Sequence, residues 1–184
     1  MNMSDLSGKK VAFLLTDGYE DSELTSPWEV LADAGAELTL VAPESGEVEG
    51  KKGHTQKVDK TTTDVDAGQF DALVLPGGVV NADHLRMDKP AVKFTKDFFA
   101  QHKPVGVICH GGWILTDADV VKGRKMTSYS SLQTDLRNAG AEWVDEEVVV
   151  DQGLVSSRTP DDLPAFNAKL VEEIGEGKHE GQTA

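Results

Sequence analysis

Hydrophobic positions along this 184-residue chain come in short unbroken runs separated by longer amphipathic stretches. VAFLL (11–15), ELTLVA (37–42), DALVLP (71–76) and PVGVIC (104–109) predict four strands, and runs without polar alternation predict burial on both faces. Leu24, Trp28 and Leu31 recur at i, i+4 and i+7, so a helix follows the first strand and stops at Gly35. Ala91, Phe94 and Phe98 mark a second helix over about 90–101, and residues 130–139 read as helical up to Gly140. WVDEEVVVDQGLVSS (143–157) predicts two strands about a turn at 151–153. The last helix has Thr159 as N-cap, Pro160 at its first position and Asp161 and Asp162 in its first turn. Leu163, Phe166, Leu170 and Ile174 then form its apolar face. PESGEVEGKKG (43–53) reads as a loop with room for a small hairpin.

Buried strands separated by helices predict a mostly parallel sheet covered on both sides. Ligands of such sheets sit beyond the carboxyl ends of the strands. Three unusual turns fall at that edge: Tyr19-Glu20-Asp21, Gly77-Gly78 and Cys109-His110. There are no internal repeats and no linker-like stretch, so residues 1–184 are expected to form one domain. Its core would run over about 8–175, with a polar, fraying tail at 176–184.

Composition narrows the function. The 32 acidic residues against 18 basic ones give a net charge of −14, which disfavours nucleic acid and anionic membranes as partners. A single cysteine cannot make an internal disulfide. The start MNMSDLSGKK lacks the apolar segment of a signal peptide, so a cytoplasmic protein is expected. The histidines at 54, 84, 102, 110 and 179 show no His-x3-His spacing, and there is no Cys-x2-Cys. No metal is expected on that pattern. Neither GxGxxG nor GxxxxGK[ST] occurs, so no nucleotide cofactor of those kinds is expected.

The chemistry that remains centres on PVGVICHGGWIL (104–115). A lone cysteine is ordinarily a small buried hydrophobe. Here it stands at the exit of a strand, next to His110 and ahead of Gly111 and Gly112, where a tight turn would expose a nucleophile. A helix beginning near residue 110 would point its positive end at the sulfur and favour the thiolate. Gly77-Gly78 is either a simple tight turn or a place where a backbone N–H approaches a reacting atom. Trp113 either narrows the pocket or packs in the core.

The segments YEDSELTSP, FDALVLPGG, DHLR, KPVGVICHGGWIL and LRNAGAEWVDEEVVVDQGLVSSRTPDDLPAF, in that order over about residues 10–172, together resemble the PfpI-like family of the class I glutamine amidotransferase-like superfamily. That superfamily also holds the Parkinson-disease-associated deglycase. The resemblance implies a flavodoxin-like α/β/α sandwich with a nucleophile elbow. It matches Cys109 to the nucleophile, His110 to its adjacent histidine and Glu20 to the acid that hydrogen-bonds the sulfur. It matches the N–H groups of Gly78 and His110 to the oxyanion donors. Gly77, Gly111 and Trp113 are expected around the pocket, and Gly112-Trp113 departs from the pattern, since many members have Pro and a smaller residue there. Asp83 matches an acid that a neighbouring subunit supplies to complete a triad, which implies a homodimer or larger homo-oligomer. In that loop, VVNADHLR, the chain has one residue more than the family pattern, and Asp where Glu is familiar. The implied function is a stress-response cysteine hydrolase without a cofactor. Its substrate would be a small carbonyl compound or a glycated protein or peptide, handled in deglycase or glyoxalase fashion. Two alternatives stand beside it: a redox sensor or chaperone whose Cys109 is oxidised without turnover, and an intracellular peptidase.

Overall fold

The computed structural model describes residues 5–184. In chain order the elements are β1 (Lys10–Leu14), α1 (Asp21–Asp33), β2 (Glu37–Ala42), β3 (Glu47–Glu49), β4 (Thr55–Lys57), β5 (Lys60–Thr61), β6 (Ala72–Leu75), α2 (Val79–Leu85) and α3 (Lys89–Ala100). These are followed by β7 (Val105–Ile108), α4 (Ile114–Ala118), β8 (Lys125–Met126), α5 (Gln133–Asn138), β9 (Glu142–Trp143), β10 (Val149–Asp151), β11 (Leu154–Ser157) and α6 (Leu163–Glu176). Seven strands form one sheet in the order β10-β11-β7-β6-β1-β2-β5, with every pair parallel except β10 and β11. The four apolar runs supply β1, β2, β6 and β7, and β6 and β7 are buried throughout.

Side-chain alternation along these strands builds two cores. Leu40, Phe13, Val74, Gly106 and Val155 lie side by side across the sheet. That row faces α1 and α6, where Leu24, Leu31, Phe166 and Leu170 are buried and Trp28 packs on Phe13 with ring centroids 5.0 Å apart. Gly106 is required there: a Cβ would stand 2.7 Å from Leu170 Cδ1 and 3.1 Å from Phe166 Cζ. The opposite row, including Leu14, Leu73, Leu75 and Val107, packs on Phe94, Phe98 and Phe99 of α3 and on Ile114 and Leu115 of α4. The result is the expected three-layer α/β/α architecture.

Several local expectations change. VVNADHL is helix α2 rather than a loop, so Asp83 is an exposed helical residue. Residues 109–113 form a 3-10 turn and α4 is only five residues long, which weakens the helix-end field expected at Cys109. Thr159 makes no side-chain cap; Arg158 instead donates from its backbone N and from Nε to Asp162 Oδ2, each at 2.9 Å. The loop after β2 does contain a hairpin, β3 paired antiparallel with β4. The two-residue strands β5, β8 and β9 have no counterpart in the periodicity.

The carboxyl tail does not fray. Gln182 is fully buried; its Nε2 donates to the Lys103 carbonyl (3.1 Å) and its Oε1 accepts from Arg124 Nη1 (2.7 Å). Arg124 Nη2 also donates to the Thr183 carbonyl, and His179 N–H donates to the His102 carbonyl. A polar tail is held here by buried partners of its own kind, on the end of the sheet where β7 and β11 begin. No helix of the described residues is long and apolar enough to cross a membrane.

Candidate active site

The carboxyl ends of β1, β6 and β7 bring the three turns together. Glu20 N–H donates to the Gly77 carbonyl at 3.2 Å, and Tyr129 N–H donates to the Cys109 carbonyl at 3.0 Å. Cys109 leaves β7 in the left-handed region at φ 61, a conformation that costs a non-glycine residue free energy and turns its side chain out of the sheet. Such strain persists where the surroundings enforce it. Gly111, immediately behind, lies so close to the Leu75 and Pro76 carbonyls that a Cβ would overlap them. Gly77 is likewise wedged between the Glu23 carboxylate, the Ile108 carbonyl and the Cys109 Cβ. Gly78, at φ 93, presses on Gly18 and on the Glu20 backbone. The strained Cys109 and these three closely packed glycines define the elbow.

Asn81 fastens it, although nothing in the sequence singled this residue out. Its Oδ1 accepts from Thr16 N–H at 2.7 Å, and its Nδ2 donates to the Pro76 and Gly77 carbonyls at 3.1 and 2.9 Å. One buried amide thus ties the exits of β1 and β6 to α2.

The acid at the sulfur is Glu23, which corrects the expectation for Glu20. Glu20 is the N-cap residue of α1, and its carboxylate pairs with Lys51 Nζ (2.7 Å) and Lys52 Nζ (3.2 Å) on the β3–β4 hairpin. Burial pushes Glu20 upward, but the two ammonium groups outweigh it and hold its pKa below the ordinary carboxylate value. Glu23, one turn on, points inward with Leu24, Pro27 and Leu31 and is fully buried. Its Oε1 accepts from Gly77 N–H at 2.8 Å. Oε2 is buried without a conventional hydrogen-bond partner, and the side chain that interacts with this carboxyl is the Cys109 thiol. Burial raises Glu23 to about 8.

Cys109 is 8% exposed. Burial first, and then the charge of Glu23, push its thiol up to about 12, while the N–H groups of Gly78 and His110 pull the other way. The helix-end activation expected from sequence is therefore outweighed by desolvation. The two raised groups face each other, so they hold their protons as a pair.

His110 lies beside the thiol, its Nδ1 3.3 Å from Sγ. Tyr129 stacks on the imidazole with centroids 4.7 Å apart at 24°, and Ser131 Oγ stands 3.2 Å from Nε2. Burial and the nearby Lys51 lower the His110 pKa, which keeps the ring neutral. Trp113 is half-buried: its ring centroid lies 6.3 Å from that of His110, Arg86 covers its face at 4.5 Å, and Nε1 donates to Asp135 Oδ2 at 3.0 Å. It serves both readings, packing on the core and bordering the site. Asp83 sits on the exposed face of α2 beside Val79 and Val80, which are about half exposed.

The DJ-1/PfpI family model matches residues 9–173. The chain is 49% identical over 170 residues to the protein/nucleic acid deglycase 2 of Escherichia coli K12, covering 91% of this chain and 98% of that protein. It is 50% identical over 167 residues to general stress protein 18 of Bacillus subtilis, covering 89% and 96%. Among solved structures, a two-domain protein of Anabaena variabilis with DJ-1/ThiJ/PfpI-like and ferritin-like domains superposes with a TM-score of 0.88 at 34% identity, covering 96% of this chain and 50% of that one. With the elbow, the buried carboxyl and the sheet order in hand, the family match over 165 consecutive positions is decisive: this chain belongs to the DJ-1/PfpI family.

Proposed function

We propose that the protein is a cysteine-dependent hydrolase acting on small reactive carbonyl compounds or the glycation adducts they form. The observation that carries this reading is the strained Cys109, its thiol facing the Glu23 carboxyl and lying 3.3 Å from His110 Nδ1. Names of relatives support the chemistry: one is a deglycase and another a general stress protein.

For an α-oxo aldehyde such as methylglyoxal the residues supply each step. The thiol proton passes to His110 Nδ1 as Sγ bonds to the aldehyde carbon. The oxyanion that forms meets the N–H groups of Gly78 and His110, then takes the Glu23 proton to give a hemithioacetal. Glu23, now a carboxylate, moves a proton from that carbon to the neighbouring one while the hydroxyl proton passes to the neighbouring oxygen, leaving a thioester of lactate with no external oxidant. Water then cleaves the thioester: the imidazolium returns its proton to the leaving sulfur, and Glu23 regains its own as lactate departs as its anion. The 8% exposure of Cys109 suits a small aldehyde better than a polypeptide backbone, which disfavours the peptidase alternative. A glycated side chain could reach the thiol through its small adduct alone. The net charge of −14 favours free carbonyls or protein adducts over polyanionic nucleic acid as substrate.

Methylglyoxal consumption and lactate formation test the proposal. Both are expected from the wild type and not from Cys109→Ala; equal rates in the two proteins would end the enzyme reading. The redox-sensor reading has its own support, because a protonated Glu23 could donate a hydrogen bond to a Cys109 sulfinate. Peptide mass spectrometry after mild peroxide should then show Cys109 oxidised ahead of exposed methionines, and an unmodified Cys109 would exclude that role.

A second copy of the chain is proposed to cover α2 and the turn after it, where Val79, Val80 and Met87 are 53%, 48% and 71% exposed, and to bring its Asp83 toward His110. Light scattering of the wild type and of a Val79→Glu, Val80→Glu variant tests it: a dimer or larger assembly that the charges dissolve is expected, and a monomeric wild type would refute it.

A further inference from the structure

We infer that Ser131 is a positioning residue that fixes the tautomer of His110 from within the same chain, so that Nδ1 is left free to receive the Cys109 proton. The inference rests on the reading above that Cys109 is the nucleophile and His110 its base.

The geometry assigns both ring nitrogens. Nδ1 lies 3.3 Å from Sγ, and Nε2 lies 3.2 Å from Ser131 Oγ. A neutral imidazole carries one N–H, and the nitrogen without it is the acceptor. A hydroxyl can donate or accept, but a thiol that is to be deprotonated must meet a lone pair. The productive arrangement is therefore Nε2–H donating to Ser131 Oγ and Nδ1 accepting from the thiol. After proton transfer the imidazolium has N–H at both positions. Nε2–H keeps its bond to Ser131, now charge-assisted and stronger, while Nδ1–H faces the thiolate. The hydroxyl thus favours the reactive tautomer before the step and the ion pair after it.

Ser131 is held in place for this task. It lies in the 3-10 turn Ser130–Leu132, closed by Leu132 N–H donating to the Tyr129 carbonyl at 3.0 Å. The segment is joined to the elbow by Tyr129 N–H on the Cys109 carbonyl, also 3.0 Å. Ser128 Oγ donates to the Tyr129 carbonyl at 2.8 Å and accepts from Trp143 Nε1 at 2.9 Å. Tyr129 stacks on the imidazole and fixes its plane, so the hydroxyl two residues on meets Nε2 at its edge. The other groups around the ring are Trp113 from the elbow turn and Lys51 from the β3–β4 hairpin, with Glu23 of α1 beyond the sulfur. None of these is an in-chain hydrogen-bond partner for Nε2 among the described residues.

The test reads thiol reactivity and needs no substrate. The second-order rate of Cys109 alkylation by iodoacetamide is measured near neutral pH for the wild type, Ser131→Ala and Ser131→Thr, with thermal midpoints as the check on folding. Loss of one charge-assisted hydrogen bond should slow Ser131→Ala about fivefold. Ser131→Thr, which keeps the hydroxyl, should restore the rate. A wild-type rate in Ser131→Ala overturns the inference, and so does a loss that Thr fails to repair. If Asp83→Asn slows the thiol while Ser131→Ala does not, an acid from a second copy holds the ring and the inference also fails. A protein that passes this test yet does not consume methylglyoxal would leave Ser131 in its role and remove only the proposed substrate.

Discussion

The carboxyl that faces the Cys109 thiol belongs to Glu23, while Glu20, three residues earlier, faces Lys51 and Lys52. One helical turn separates an acid that is buried with a raised pKa from one that is ion-paired with a lowered pKa. Only the first can hold and release a proton at the sulfur near neutral pH.

Activity should divide the two acids. Glu23→Gln keeps an oxygen for the Gly77 N–H but has no transferable proton, so kcat/KM for methylglyoxal should fall about 100-fold or more. Glu20→Gln removes only contacts to two largely exposed lysines and should stay within about threefold of wild type. Steady-state kinetics of the two variants check this; the reverse order would return the catalytic acid to Glu20.

Stability should carry the same mark. The native protein holds the Glu23 proton up to about pH 8, whereas the unfolded chain releases it near the ordinary value of 4.5. The contribution is therefore complete below pH 4.5 and lost as pH rises through 8. Between those limits the wild type should lose on the order of 3–5 kcal/mol relative to Glu23→Gln, which cannot ionise. Urea denaturation of both at pH 5 and pH 8.5 measures the gap, which should widen in favour of the variant. A gap independent of pH would mean that Glu23 ionises freely in the native state.

The sheet and the elbow were legible because they rest on strong local signals. Four unbroken apolar runs became β1, β2, β6 and β7, and the one cysteine stood at a strand exit backed by two glycines. The acid was misplaced for a reason equally local. Glu20, Asp21 and Glu23 crowd one turn, and the choice among them depends on where α1 begins. With the start at Asp21, Glu23 shares the face of Pro27 and Leu31 at i+4 and i+8, so a carboxyl on an apolar stripe was the available signal. Helix α2 had no such signal. It is seven residues long and owes its placement to Asn81, whose three hydrogen bonds all reach residues outside the helix. Ser131 became visible only when the turn after Tyr129 folded back on His110.

Adjacent glycines of the elbow should respond differently to a methyl group. At Gly111 a Cβ overlaps the Leu75 carbonyl and comes within 2.9 Å of the Pro76 carbonyl, and both are backbone that cannot yield. Gly111→Ala should cost about 2–4 kcal/mol and impair the thiol with it. At Gly112 the nearest atoms are Met126 Cε and Val107 Cγ2, each at 3.4 Å, an ordinary contact with side chains. Gly112→Ala should cost about 1 kcal/mol or less. Thermal denaturation of the pair checks the contrast, and equal losses would show that the elbow does not press on β6 as described.

The docked tail predicts a loss of stability that spares catalysis. Gln182 satisfies the Lys103 carbonyl and one arm of the Arg124 guanidinium, both buried, and His179 and Thr183 add backbone contacts to either side. Gln182→Ala leaves these partners unpaired in a site closed to water, at a cost of about 1–3 kcal/mol. Arg124 would feel it most, because burial already disfavours its charge. Yet these contacts lie where β7 and β11 begin, and Cys109 stands just past the other end of β7. Urea midpoints should therefore fall while kcat/KM and the Cys109 alkylation rate, measured well below the unfolding transition, stay within about twofold of wild type. A loss of reactivity in the folded variant would mean that the tail is coupled to the elbow through β7, and its docking would then belong to the function as well as to the fold.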